Sequence, residues 1–187
     1  MTRAWLEAGD WACCGDPFVV GDEVDFVIGG RSLPTAFARD LGEGLASTID
    51  ALEARHPETT TGDHIRGRVM GVHVVTQEYA HRFSLRRPGR GAPADAEMPA
   101  DGEPWPFEGV EMASGLVLGS RPTRWMVAIE PVPGVVSVVP VDAVPGEPTV
   151  AAELDDLDGP EPPLRRVWAR AGWVVDVDEG DSFRATA

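Results

Sequence analysis

The chain has 187 residues, enough for one well-packed domain, and 43% of them are hydrophobic, which excludes global disorder. All 16 basic residues are arginine, set against 31 acids, and the net charge of −15 disfavours a nucleic-acid partner. No window approaches the run of about 18 apolar residues that spans a bilayer, so no membrane association is expected.

The start, Met1 to Glu7, lacks the apolar stretch of a secretory signal. The two cysteines are adjacent and cannot staple distant segments together. Both observations lead to the expectation of a reducing, cytoplasmic location.

Residues Ala4 to Cys13 read as a first strand anchored by Trp5 and Trp11. Gly15-Asp16-Pro17 makes a turn, because proline fixes φ and Gly and Asp tolerate turn geometry. Phe18 to Val20 approach a second strand, and Gly21-Asp22 turns again. Val24, Phe26 and Ile28 then alternate with Glu23, Asp25 and Val27, as a half-buried strand requires. Pro34 to Arg55 reads as the one packed amphipathic helix: Phe37, Leu41, Leu45, Ile49 and Leu52 fall on one stripe. Gly42 and Gly44 weaken its middle.

His64 to Leu85 is a long, Val-rich β region in which Gly67 and Gly71 suggest bends. Strands return at Gly115 to Leu118, Trp125 to Val132 and Val135 to Val141, the last two joined by a Pro133-Gly134 hairpin turn. Arg166 to Val177 closes the pattern. Flexible loops are expected at about 88–113 and 144–164, where Pro, Gly and acids dominate. The sum is a β-rich α+β fold, one domain over 1–187, built as a small bent sheet or barrel, SH3-like or OB-like, with a single packed helix.

Trp11 to Val24 is the densest segment. Its pattern Cys-Cys-Gly-x-Pro-Phe-x-Val-Gly-Asp-x-Val, Cys13 to Val24, resembles that of an uncharacterised family of high-GC Gram-positive bacteria. In that family a tryptophan stands upstream, as Trp11 does, and a His and a Gly-x-Val strand follow, as His64 and Gly67-Arg68-Val69 do. The family is a domain of unknown function, so the resemblance implies no activity.

Candidate sites carry a structural and a chemical reading each. Cys13 and Cys14 are either small hydrophobes at a turn or, with His64, the ligands of a zinc ion, although zinc sites usually draw on cysteine pairs two to four residues apart. Nucleophilic catalysis by Cys14 would need His64 as its base. Arg82, Arg86 and Arg87 lie in a stretch with one opposing acid, Glu78, and are either internally neutralised or an anion site. Asp16 and Asp22 suit local turn hydrogen bonds. The acids at 155–158 and those at Asp176, Asp178 and Asp181 lack a calcium loop's ligand order and read as solvated turns.

Three functional classes follow. The first is a non-enzymatic small β-barrel module that binds a partner protein or a small ligand without a cofactor. The second is a metal- or thiol-dependent enzyme centred on Cys13, Cys14 and His64. The third is an acidic protein that captures a basic partner.

Overall fold

In a computed structural model, residues 1–54, 63–86, 99–100, 108–111, 113, 117–120, 123–145, 157 and 159–180 are described. The order along the chain is β1 (Thr2–Glu7), α1 (Ala8–Cys14), β2 (Phe18–Val19), β3 (Glu23–Gly30), α2 (Thr35–Leu41), α3 (Glu43–Ala46), β4 (Ala51–Glu53) and β5 (His64–Leu85). It continues with β6 (Glu108–Glu111), β7 (Val117–Ser120), β8 (Trp125–Val141), β9 (Ala143–Val144) and β10 (Arg165–Asp178).

Six strands form one bent sheet in the order β10-β1-β4-β3-β5-β8, not a regular barrel, although β10 also pairs with β5. Two small sheets, β2 with β9 and β6 with β7, complete the strand pairing. The β-rich class expected from the alternating patterns is therefore the class observed. Among the described residues no helix is long and apolar enough to cross a membrane.

The chain divides into two compact units. The first comprises Met1–Tyr79, Pro131–Ala151 and Trp168–Ala187. Its sheet buries apolar side chains on both faces, since successive strand residues point to opposite sides and both sets are apolar here. Ala4 and Leu6 of β1 join Trp173, Val175 and Val177 of β10 in one core cluster with Trp11, Phe18, Phe26 and Ile65. Trp5 and Val174, one residue out of phase, join Leu41, Ile49 and Val75 in a second. Each Val, Leu, Ile or Phe among them stabilises the fold by about 1.5–3 kcal/mol on burial.

The second unit comprises Ala80–Glu130 and Ala152–Val167. Within it β6 and β7 pair antiparallel, from Glu108 opposite Ser120 to Glu111 opposite Val117. Its polar backbone is tied by side chains. The buried Arg124 guanidinium donates to the carbonyls of Pro99 and Ala100, and Trp125 Nε1 donates to that of Gly159.

Three element assignments differ from the sequence reading. The expected strand Ala4–Cys13 ends at Glu7, and Ala8 to Cys14 form α1 instead, which places Trp11 in the first core cluster. The expected helix Pro34–Arg55 breaks into α2, α3 and β4, because Gly42 takes φ +84°, a conformation no helix contains. The predicted stripe survives the break: Phe37, Leu41, Leu45, Ile49 and Leu52 all pack in the second cluster. Finally, β8 runs unbroken through Pro133-Gly134, so no hairpin forms there. At the end of the strand order, a proline without an N–H is tolerated. Most of the expected loops 88–113 and 144–164 lies outside the described residues. Within the first, Glu108–Glu111 is a strand.

Candidate functional site

The segment Trp11 to Phe26 builds a cleft of about 380 Å³ lined by Trp11, Asp16, Pro17, Phe18, Asp22, Glu23, Val24, Asp25 and Phe26. Its floor is a cluster of packed rings, with Trp11 edge-on to both phenylalanines. Trp11 meets Phe18 at 5.5 Å and 84°, and Phe26 at 6.4 Å and 83°. Such T-shaped pairs add about 0.5–1.5 kcal/mol beyond burial. All three rings are buried, so the cleft is closed beneath by aromatic packing and rimmed by carboxylates.

Most of the dense segment has a structural role in forming this cleft. Gly15 lies directly against the Trp11 indole, where a Cβ would sit 2.3 Å from the ring. The Val-Gly-Asp turn is a closed hydrogen-bond circuit. Val19 N–H donates to Asp22 Oδ2 at 2.9 Å, Asp22 N–H to the Val19 carbonyl at 3.1 Å, and Gly21 N–H to the Val69 carbonyl at 2.8 Å. Val69 N–H returns to the Asp22 carbonyl at 2.9 Å. Asp22 is thus a turn aspartate, as its setting after glycine predicts.

The rim acids of β3 face β5 in register. Glu23 lies opposite Arg68 and Asp25 opposite Arg66, and both couples are ion-paired, at 3.3 Å and 2.8 Å. His64 adds to the second couple, its Nδ1 2.5 Å from Asp25 Oδ1. Burial alone would raise the Asp25 carboxyl, but hydrogen bonds from His64 and Arg66 hold it below its ordinary range.

The sequence-predicted ligands are placed as follows. Cys13 and Cys14 are both exposed on the last turn of α1, not on a strand, with their sulfurs 3.2 Å apart and no disulfide between them. His64 opens β5 and is held by Asp25. Among the described residues no group of three or more His, Cys, Asp or Glu side chains could hold a metal ion. Arg82 is ion-paired with Glu130 at 2.8 Å, and Arg86 donates to the Thr123 carbonyl at 2.7 Å. Arg87 lies outside the described residues. Asp176, expected in a solvated turn, is instead buried in β10 and clasped by Arg3 at 2.7 Å, while Asp178 accepts from the Gly180 N–H.

A second, smaller cavity of about 190 Å³ escaped the sequence reading. It is lined by Trp5, Glu7, Phe37, Asp40, Leu41, Gln77, Tyr79, Pro131 and Ala171. No motif unites residues so far apart in the chain; only the out-of-phase position of Trp5 and the helical stripe hinted at this face. Burial, then the Glu7 and Asp40 carboxylates, push the Tyr79 phenol upward. Burial, then Asp10, does the same for Glu7.

A bent β-sheet carrying an acid-rimmed cleft over an aromatic floor defines a β-rich domain with a ligand-sized recess. The chain belongs to a family of unknown function (DUF6578), whose model matches residues 1–179. No match was found among curated proteins or among solved structures.

Proposed function

We propose that this protein is a non-enzymatic binding module that takes a cationic segment of a partner protein into the cleft formed by Trp11 to Phe26. The observation that carries this reading is a recess with a closed aromatic floor, lined by four acidic residues, Asp16, Asp22, Glu23 and Asp25. Of these, Asp22 is held in its turn, while Glu23 and Asp25 would exchange Arg68 and Arg66 for the incoming cation. A recess floored by packed rings and rimmed by acids complements a guanidinium or ammonium group on an aliphatic stem. The net charge of −15 adds long-range attraction for such a partner and raises its encounter rate. The exposed, unbridged cysteines suit a reducing compartment such as the cytoplasm.

The test is calorimetric titration of the whole protein with an arginine-rich peptide, and separately with an acidic peptide of equal length. Binding of the basic peptide alone is expected, weakened by added salt and severalfold weaker in Asp16→Asn and Glu23→Gln variants. No binding, or binding indifferent to both substitutions, would reject the cleft as the site.

A further inference from the structure

We infer that Cys13 and Cys14 together form a two-thiolate chelating site for a thiophilic trivalent centre, of which a monosubstituted arsenical is the simplest example. Both thiols are exposed at the end of α1, and the Cys14 thiol donates to Cys13 Sγ across 3.2 Å. The neighbouring residues of the same segment are committed to structure: Trp11 and Phe18 to the core, Gly15 to the indole contact, and Asp22 to its turn. Neither cysteine belongs to that core. Both present their thiols outward.

Two geometric facts select the ligand class. A disulfide normally holds its Cα atoms about 4.4–6.8 Å apart, whereas neighbours across a trans peptide are about 3.8 Å apart, so direct S–S bonding would strain α1. Placing one further atom between the sulfurs requires no such contraction. A structural zinc site, in turn, wants four ligands, and among the described residues no third His, Cys, Asp or Glu completes a metal-binding group with the pair. A soft centre that brings its own substituent and takes two thiolates needs only what the pair supplies.

The step balances without an oxidant. With an aryl arsenic(III) oxide, two As–S bonds form and the As=O bond breaks. The oxygen leaves as water carrying both thiol protons, and arsenic stays trivalent.

The experiment treats the reduced, full-length protein with phenylarsine oxide and follows intact mass and the remaining thiols. One adduct per chain that consumes both thiols is expected. It should persist in excess monothiol on the order of a hundredfold longer than in Cys13→Ser or Cys14→Ser, because the second sulfur re-forms its bond within the molecule. A small dithiol should remove it, and His64→Ala should leave it unchanged. No adduct, an adduct that a monothiol strips as fast from the native chain as from the single variants, or its loss in His64→Ala would each overturn a two-sulfur site. Circular dichroism of the variants separates loss of the site from loss of the fold.

Discussion

Gly15 and Trp11 approach so closely that a methyl group on Gly15 would lie 2.3 Å from the indole. The turn after α1 and the floor of the cleft are therefore one packing unit. The backbone reinforces it, since Gly15 N–H donates to the Trp11 carbonyl at 2.8 Å. Gly15→Ala must displace either the ring or the turn, at a cost of about 1–3 kcal/mol, as overpacking a filled core does. Urea denaturation should show a lower midpoint with an unchanged slope. A variant as stable as the native chain would show that the indole yields without cost.

The break between α2 and α3 depends on Gly42, whose φ +84° and ψ 141° suit almost only glycine. Gly42→Ala is expected to destabilise by roughly 1–3 kcal/mol despite the higher helix propensity of alanine. Its added methyl would also lie 3.2 Å from Gly134 Cα. A thermal melt decides the sign. Stabilisation would mean that residues 34–55 can form the continuous helix their stripe suggests.

Acid should loosen the cross-strand ladder between β3 and β5. Asp25 is held below its ordinary 3.8, burial being outweighed by His64 and Arg66, and Asp63 is held below it by Arg31. A carboxyl lowered on folding contributes stability that is present above 3.8 and lost as pH falls through its folded-state value. The contribution is modest, because the Asp25 side chain is 50% exposed. Asp25→Asn should flatten the acid limb of a melting-temperature series relative to the native chain. Parallel limbs would assign acid unfolding to other groups.

Tyr79 is the only tyrosine, so tyrosinate absorbance reports a single group. Burial, then Glu7 and Asp40, raise it above 10.0, and Glu7→Gln should bring its midpoint back toward that value. Glu7 itself is raised above 4.5 by burial and then by Asp10. Its folded form holds the proton more tightly, so its contribution is greatest below 4.5 and declines as pH rises through the folded-state value. Glu7→Gln is accordingly expected to be neutral or stabilising at pH 7. An unmoved Tyr79 midpoint would show that Glu7 does not act on the phenol.

Where one periodicity held over enough residues, the sequence was a reliable guide. Strand β3 follows its alternation, with Phe26 and Ile28 buried and Glu23 and Asp25 exposed, and β5 spans the whole expected His64–Leu85 stretch. Local pattern failed where tertiary packing decided the outcome. Helix α1 has seven residues and no side-chain cap, and it forms where Trp11 must reach Phe18, Phe26 and Trp173. The stripe from Phe37 to Leu52 correctly marked a buried face but could not show that a strand, β4, would finish it. The cleft was half legible. Asp16, Phe18 and Asp22 stood out as a motif, whereas Asp25 and Phe26 looked like ordinary strand residues until β3 brought them alongside.

The pairing of β1 sets a timetable for the chain's synthesis. Thr2 to Glu7 lie between β4 and β10, with six register partners running from Val177 to Gly172. During synthesis β1 therefore waits for β10 before its antiparallel ladder can close, and Leu6 stays uncovered by Trp173 until then. Contacts so distant in sequence fold slowly, and the waiting strand is an open edge that chaperones or neighbouring nascent chains can occupy. A chain truncated before Gly172 would leave β1 without its antiparallel partner. Such a fragment is a substrate for proteolysis rather than a smaller version of the protein.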